Sequence, residues 1–150
     1  MSKIYWFIGQ PKSGKTTIAK RLQFWLQTDK KNWRKSVFHI DELDIKNIYK
    51  IDNKDKHDSI LFEKRVFDIV KYLSATNHDI VISTPHPYAG LRYEFKQELD
   101  YKEIYCHSKK IIVPKEDLIL DFESPTENFI QLDTTDQIDD TFKYLIKIIV

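Results

Sequence analysis

The feature that most constrains this chain is the segment GQPKSGKT at residues 9–16, which fits the pattern G-x-x-x-x-G-K-[ST] in full. An apolar run at residues 4–8 precedes it, as expected for a buried parallel strand, and residues 17–27 have the composition of a helix. The chain contains only three glycines, and two of them, Gly9 and Gly14, lie in this segment. The order of strand, glycine-containing loop and helix predicts a loop that binds phosphate groups.

Each part of this phosphate loop has an expected role. Backbone N–H groups and the positive end of the following helix are expected to surround the phosphates. Lys15 is expected to neutralise the β- and γ-phosphate oxygens, while the Thr16 hydroxyl holds Mg²⁺. Gly9 and Gly14 permit backbone angles that a side chain would oppose. We therefore predict ATP and Mg²⁺ as cofactors. The residues predicted to contact ATP are Gly9, Pro11, Lys12, Ser13, Gly14, Lys15, Thr16 and Thr17.

Length and composition predict a single domain over residues 1–150. A hydrophobic content of 41% is enough for one core, and the sequence shows no linker, repeat or low-complexity tract. It shows neither an apolar run that could span a bilayer nor a signal-like start, so we expect a cytoplasmic protein. The net charge of +1 gives no overall attraction to nucleic acid or membrane. The lone cysteine, Cys106, is expected to pack within a strand.

Two further features have both a structural and a functional interpretation. Residues 30–35 form the densest basic segment, which fits either a solvated loop or a patch that grips a polyanion with a base stacked on Trp33. The five histidines lack metal-ligand spacing beside the cysteine, so no structural zinc is expected. His39 is expected to be a packed or hydrogen-bonded core residue, although it shares a strand face with Asp41.

The order of the predicted elements gives an α/β fold with a five-stranded parallel sheet and helices on both faces. Apolar side chains with helical spacing follow the second and third strands, and Thr134 and Gln137 have the spacing of a capping box before a last helix. The carboxyl ends of parallel strands form the ligand-binding edge of such sheets. The remaining predicted strands are 36–41, 79–83, 103–107 and 129–132, and the remaining helices are 60–73, one after the turn at 84–90, and one from 138.

Phosphoryl transfer to a hydroxyl needs a carboxylate that orients or deprotonates the acceptor, and Asp41 is placed for this at the end of the second strand. Its structural alternative is a cap on the following helix. Arg65 and Arg92 are candidates to clamp an anionic acceptor in two-point fashion, and their alternative is a surface ion pair. The chain lacks the N-K-x-D and D-x-x-G patterns of GTPases and the apolar strand ending in an acidic pair of motor ATPases, so a small kinase fits best.

Across most of its length, the chain resembles the adenylyl-sulfate kinases. Residues 9–19 are similar to that family's phosphate loop, and HIDEL at 39–43 is similar to its strand-ending aspartate motif. ISTPHPYAGLR at 82–92 resembles its I-S-P-Y segment with a following arginine, and FESP at 122–125 and QLDT at 131–134 resemble two later blocks. The resemblance implies a single P-loop kinase domain that phosphorylates the ribose 3′-hydroxyl of adenosine 5′-phosphosulfate. It implies Lys15 and Asp41 as catalytic residues, and acceptor contacts from Asp41, Arg65, His86, Pro87, Tyr88 and Arg92.

The chain departs from the family mainly at the acceptor side. The family's D-G-D-N-x-R stretch has lost its second aspartate and its arginine, and Phe62 stands where asparagine is expected. His86 replaces a serine and Ala89 an arginine, and the R-D-x-K-G-L-Y lid has no counterpart between Ser108 and Leu120. The lysines that could replace the lid's cations, or be ordinary surface residues, are Lys109, Lys110 and Lys115.

These departures leave three functions open. The first is adenylyl-sulfate kinase activity with ATP and a small acceptor. The second is phosphorylation of another hydroxyl, on a nucleoside, a nucleotide or a polynucleotide end, and only this alternative involves nucleic acid. The third is a non-catalytic nucleotide-binding protein, which the shortened lid suggests and the pairing of the phosphate loop with Asp41 opposes. The sequence gives no indication of oligomeric state.

Overall fold

A computed structural model describes residues 2–28, 36–52, 55–110 and 113–150. The basic segment at residues 30–35, with its two interpretations, lies outside these described residues. The strands are β1 Ile4–Ile8, β2 Val37–Asp41, β3 Asp79–Ser83, β4 Lys102–His107 and β5 Ile130–Asp133. The helices are α1 Lys15–Thr28, α2 Glu42–Tyr49, α3 Lys56–Ala75, α4 Ala89–Glu98 and α5 Ile138–Ile149, with one turn of 3₁₀ helix at Lys115–Asp117.

The five strands form one parallel sheet in the order β2-β3-β1-β4-β5. Alternate side chains of β1 point to opposite faces and belong to two separate cores. Trp6 packs with α3 and α4 on one face, whereas Phe7 packs with α1 and α5 on the other. All five residues of β1 are buried, which explains why that strand is a continuous apolar run. The predicted five-stranded parallel sheet with helices on both faces is confirmed.

Most predicted elements are confirmed to within a few residues, and β3 has the predicted bounds. Helix α2 has no helical stripe in the sequence because only Ile45 is buried, while Leu43 and Ile48 are exposed. The predicted capping box before α5 is wrong. Gln137 is the N-cap and makes no side-chain cap bond, and the Thr134 hydroxyl instead donates to the carbonyl oxygen of Ser13 and lies 3.0 Å from that of His107.

Two other features of the described residues bear on the expectations. Cys106 is a free, buried residue of β4, and burial raises the pKa of its thiol to about 12, so its predicted packing role is confirmed. Among the described residues, no helix is both long and apolar enough to cross a membrane.

Candidate functional site

The phosphate loop passes closely beneath the end of β4. Gly9 has φ +147°, and a Cβ atom there would lie 2.5 Å from the carbonyl oxygen of Cys106 and 2.8 Å from Ser13 Oγ. Glycine is therefore required at this position by both space and backbone angle. Thr134 supports the other end of the loop, because its hydroxyl lies 2.7 Å from the Ser13 carbonyl oxygen, to which it donates. The loop therefore contacts the carboxyl ends of two strands, β4 and β5.

Lys15 is the buried cation of the loop, with 6% of its surface exposed. Its ammonium donates to the carbonyl oxygen of Gln10 at 2.7 Å and lies 3.5 Å from Ser13 Oγ. Burial lowers the pKa of Lys15, and nearby carboxylates such as that of Glu42 oppose the shift. A phosphate group would give this desolvated ammonium the anionic partner that it lacks, which agrees with its predicted role.

Four side chains from three elements form a hydrogen-bonded row beside the loop. Thr16 Oγ1 and Ser83 Oγ both donate to Asp41 Oδ1, at 2.8 and 2.7 Å, and the Leu43 N–H donates to Oδ2. His39 Nε2 lies 2.7 Å from Ser83 Oγ. Because the single Ser83 proton is given to Asp41, the bond from His39 requires the tautomer that carries its proton on Nε2.

This network sets the charge of Asp41. Burial opposes ionisation of the carboxyl group, but the hydrogen bonds from Ser83, Thr16 and Leu43 outweigh it and lower the pKa of Asp41. Asp41 is also the N-cap of α2, so the structural interpretation of this residue is correct as well. The sequence predicted Asp41 and the face of His39, but the role of Ser83 was not predicted.

The oxygens of Thr16 and Asp41 also suit Mg²⁺. This ion prefers hard oxygen ligands and is bound through one or two carboxylates together with phosphate oxygens and water. A hydroxyl and a carboxylate whose oxygens lie 2.8 Å apart, next to the phosphate loop, provide such a donor set. Thr17, in contrast, is exposed in the first turn of α1.

Residues 113–123, called the strap below, contact the phosphate loop. They overlap the segment in which the lid of the adenylyl-sulfate kinases has no counterpart. The side-chain amide of Gln10 makes two bonds of 2.9 Å to the backbone of Ile119, one as donor and one as acceptor. Lys12 forms an exposed ion pair with Asp117 at 3.8 Å. At the far end, the Glu123 N–H donates to the Pro87 carbonyl oxygen at 2.9 Å. The pairing of Gln10 with the strap was not predicted, because backbone partners leave no pattern in a sequence.

Two cavities lie on either side of the phosphate loop. The smaller cavity, of about 270 Å³, lies on the β4 side between the loop residues Gln10–Ser13 and residues 105–108. The larger one, of about 540 Å³, lies on the β3 side and is called the cleft below. Pro11, the starts of α2 and α3, the β3–α4 connection and strap residues 116–121 enclose the cleft. Both volumes are suited to small ligands.

The charged residues among the described ones that line the cleft are mostly acidic. Its two lysines are Lys46, which pairs with Glu42 at 2.5 Å, and Lys56, whose ammonium lies 4.9 Å from the centre of the Tyr88 ring. No described arginine lines it. Its seven carboxyl groups belong to Glu42, Asp52, Asp55, Glu63, Glu116, Asp117 and Asp121.

The structure brings two of the predicted acceptor residues, Pro87 and Tyr88, to the cleft wall. Arg65 lies on the exposed side of α3, where it pairs with Asp68 at 3.6 Å. His86 is fully buried and stacks on Trp6 with ring centroids 4.2 Å apart. Neither Arg65 nor His86 lines the cleft.

Each of the three guanidinium nitrogens of Arg92 has a partner inside the protein. Its guanidinium donates to the carbonyl oxygens of His86 and Glu123 and pairs with Glu103 at 3.2 Å. Only 4% of Arg92 is exposed. The guanidinium group, whose paired N–H donors would suit an anion, therefore connects α4, β4 and the strap instead. Lys109, Lys110 and Lys115 are exposed and also do not line the cleft.

Glu63 is the buried carboxyl group at the floor of the cleft, and it was not predicted. The Thr84 hydroxyl donates to its Oε2 at 3.1 Å and the His86 N–H donates to its Oε1 at 3.0 Å. Burial raises the pKa of Glu63 to about 8, and these hydrogen bonds offset only part of the shift. In the sequence Glu63 lies beside Phe62 within an amphipathic helix, so no pattern distinguished it from a surface glutamate.

Replacing Glu63 by Gln is expected to change how stability depends on pH. Between the ordinary pKa of 4.5 and the folded-state value of about 8, the folded protein holds a proton that the unfolded chain has lost. The wild-type free energy of unfolding should therefore fall as pH rises through this window, by about 1.4 kcal/mol per pH unit. Urea denaturation at about pH 5 and about pH 8 measures this, and Glu63→Gln should lack the slope.

The control is Glu127→Gln, which changes an exposed glutamate outside the cleft and should retain the wild-type slope. A Glu63→Gln slope equal to that of the wild type would show that Glu63 titrates normally.

Comparison with solved structures identifies the fold. The APS kinase CysC of Mycobacterium tuberculosis in complex with AMPPNP and APS superposes with a TM-score of 0.77 at 16% identity, covering 97% of this chain and 96% of that one. A gluconokinase from Sinorhizobium meliloti gives 0.69 at 11% identity, with 95% and 87% covered. Chaetomium thermophilum Kti12 in complex with ADP-AlF3 gives 0.68 at 15% identity, with 98% and 99% covered. The chain has the α/β P-loop NTPase fold.

These proteins differ in what they act on, and their identities to this chain are low. The likeness therefore shows the architecture of the phosphate loop and its surrounding strands. No protein-family model matches the chain, and no curated protein matches it.

Proposed function

We propose that this protein is an ATP-dependent phosphotransferase that moves the γ-phosphate of ATP to a hydroxyl group of a small acceptor. The observation that carries this proposal is the hydrogen bond between Thr16 of the phosphate loop and Asp41 at the end of β2. It joins the residue expected to hold Mg²⁺ to the carboxylate expected to orient the acceptor. The cleft is lined by Glu42, which directly follows Asp41 in the chain, so an acceptor bound in the cleft would lie near this pair.

The donor side consists of the phosphate loop and the cavity on the β4 side. Lys15 would neutralise the β- and γ-phosphates, and the loop N–H groups would fix their orientation. Thr16, whose hydroxyl is bonded to Asp41, would hold Mg²⁺, which supplies charge neutralisation on the transferring phosphate when bound. With the phosphates in the loop, the γ-phosphate would point toward the cleft on the β3 side. The two cavities then serve donor and acceptor separately.

The acceptor side depends on Asp41 and the cleft. As the acceptor oxygen bonds to the γ-phosphorus, the bond from that phosphorus to the bridging oxygen breaks, and ADP leaves. The acceptor proton passes to Asp41, whose ionised form is ready to accept it. Because the pKa of Asp41 is lowered, we assign it mainly to orientation of the hydroxyl before transfer, with proton removal late in the step.

Adenosine 5′-phosphosulfate is the acceptor suggested by the resemblance to adenylyl-sulfate kinases. The position of Pro87 and Tyr88 on the cleft wall supports it, as does the superposition on the CysC complex, which contains APS. The partners of Arg65 and Arg92 do not support it, because neither guanidinium lines the cleft. We therefore propose the reaction type and treat this acceptor as one to be tested.

The test is acceptor-dependent ADP release from Mg·ATP. The panel contains adenosine 5′-phosphosulfate, nucleosides, DNA ends, neutral sugars and amino sugars, and each assay includes a reaction without acceptor. We expect ADP release to rise above this background for one acceptor class. Release that never depends on an acceptor would contradict the proposal and leave hydrolysis or binding as the function.

A further inference from the structure

We propose that the acceptor carries no negative charge, and that the cleft selects a neutral or cationic polyhydroxyl compound such as an amino sugar. This inference rests on the proposed function, because it assigns the cleft to the acceptor. It concerns the specificity of the site rather than the transfer step.

The charges on the cleft wall are the first argument. Besides Glu63, six carboxyl groups line the cleft, and the described ammonium groups among or beside them are those of Lys12, Lys15, Lys46 and Lys56. Two of these lysines are already paired, Lys12 with Asp117 and Lys46 with Glu42. An acceptor with a phosphate or sulfate group would place further negative charge against this wall, which disfavours binding.

The arginines provide a second, independent argument. Recognition of phosphate or sulfate commonly uses a guanidinium fork with free donors. The Arg92 fork instead bonds to two backbone carbonyl oxygens and Glu103, and the Arg65 guanidinium pairs with Asp68 on the exposed side of α3. Among the described residues, the cleft therefore has no guanidinium group that would compensate an anion.

The aromatic wall provides a third argument. The Tyr88 side chain lines the cleft and its ring already has a cation nearby, because the Lys56 ammonium lies 4.9 Å from the ring centre. The Tyr88 hydroxyl lies 3.5 Å from Asp121 Oδ1. A ring next to carboxylates is a surface on which an amine or a sugar C–H face packs well. The cavity of about 540 Å³ has room for such a molecule.

The charge preference can be measured without knowledge of the acceptor. Amino-, hydroxy- and carboxy-substituted nitroxides of the same ring size are added to the protein saturated with Mg·AMPPNP. Their paramagnetic broadening of the amide signals of Ser59 and Tyr88 reports the local concentration of each probe. We expect the cationic probe to broaden these signals about tenfold more than the anionic probe. Equal broadening, or more from the anionic probe, would overturn the proposal.

Variants show whether the cleft carboxylates cause the effect. The double variant Glu116→Gln with Asp121→Asn should reduce the ratio of cationic to anionic broadening at least about threefold. The matched control, Glu94→Gln with Asp100→Asn, removes the same charge from exposed positions outside the cleft and should leave the ratio unchanged. A ratio that is equally reduced in both variants would attribute the effect to net charge and overturn the assignment to the cleft.

Two further measurements separate this inference from the proposed function. Adenosine 5′-phosphosulfate added to the Mg·AMPPNP complex should leave the Ser59 and Tyr88 amide shifts unchanged, and shifts that saturate would overturn the inference. In the acceptor panel, ADP release with amino or neutral sugars supports it, and release with anionic acceptors alone overturns it. If the nitroxide ratio is as expected and no acceptor stimulates ADP release, the proposed function fails while the charge selectivity of the cleft stands.

Discussion

Replacing Asp41 by Asn is expected to lower the rate of phosphoryl transfer about a thousandfold while ATP still binds. Asparagine is isosteric, and its amide oxygen can still accept hydrogen bonds from Thr16 and Ser83. What it loses is the negative charge that orients the acceptor hydroxyl and receives its proton. Initial rates of acceptor-dependent ADP release measure the loss, and calorimetry with Mg·ATP measures binding.

The residues around Asp41 provide a graded series. Ser83→Ala removes one hydrogen bond to the carboxylate. We expect the activation free energy of transfer to rise by about 1.5 kcal/mol, which lowers the rate about tenfold, and the acidic limb of the pH–rate profile to shift to higher pH. Glu94→Gln, an exposed residue of α4, is the control and should leave the rate unchanged. Full activity in Asp41→Asn would show that this carboxylate serves only as the helix cap of α2.

Replacing Lys15 by Ala is expected to lower acceptor-dependent ADP release about a thousandfold or more. The side chain is buried, and a hydrogen bond to the Gln10 carbonyl oxygen holds its ammonium in the loop. The variant loses charge stabilisation of the γ-phosphate and part of the affinity for ATP. Rates at saturating and limiting ATP separate these two effects.

Lys20→Ala is the matched control for Lys15→Ala, because Lys20 is an exposed residue of the same helix. It should retain wild-type rates. Unfolding measurements on both variants are required, since loss of a buried lysine also changes packing. A Lys15→Ala protein that folds normally and turns over at the wild-type rate would exclude the phosphate loop from the reaction.

The sequence predicted the fold and the place of the phosphate loop between β1 and α1 because both depend on local patterns. The phosphate loop has a fixed spacing, and β1 and the centre of β3, residues 80–82, are apolar because both faces of these strands are covered. Parallel strands place their carboxyl ends on one edge, so the sequence placed Asp41 on the same edge as the loop. It did not predict that β3 lies between β1 and β2.

The acceptor side was harder to predict because its contacts join residues distant in sequence, often through backbone atoms. Arg92 bonds to carbonyl oxygens that any residue could supply, and His86 has a φ of +45° and a ring that stacks inside the core. The row of acidic side chains around the cleft comes from α2, α3 and the strap, which only the folded chain brings together. A family resemblance at 82–92 therefore located the segment but not the orientation of its side chains.

The most direct test of the central claim is ³¹P NMR of a reaction containing the protein, Mg·ATP and the acceptor panel. We predict that the ATP signals are replaced by those of ADP while one new phosphomonoester signal grows in proportion. Formation of inorganic phosphate alone, or ATP that stays unchanged, would contradict the assignment of this protein as a phosphotransferase.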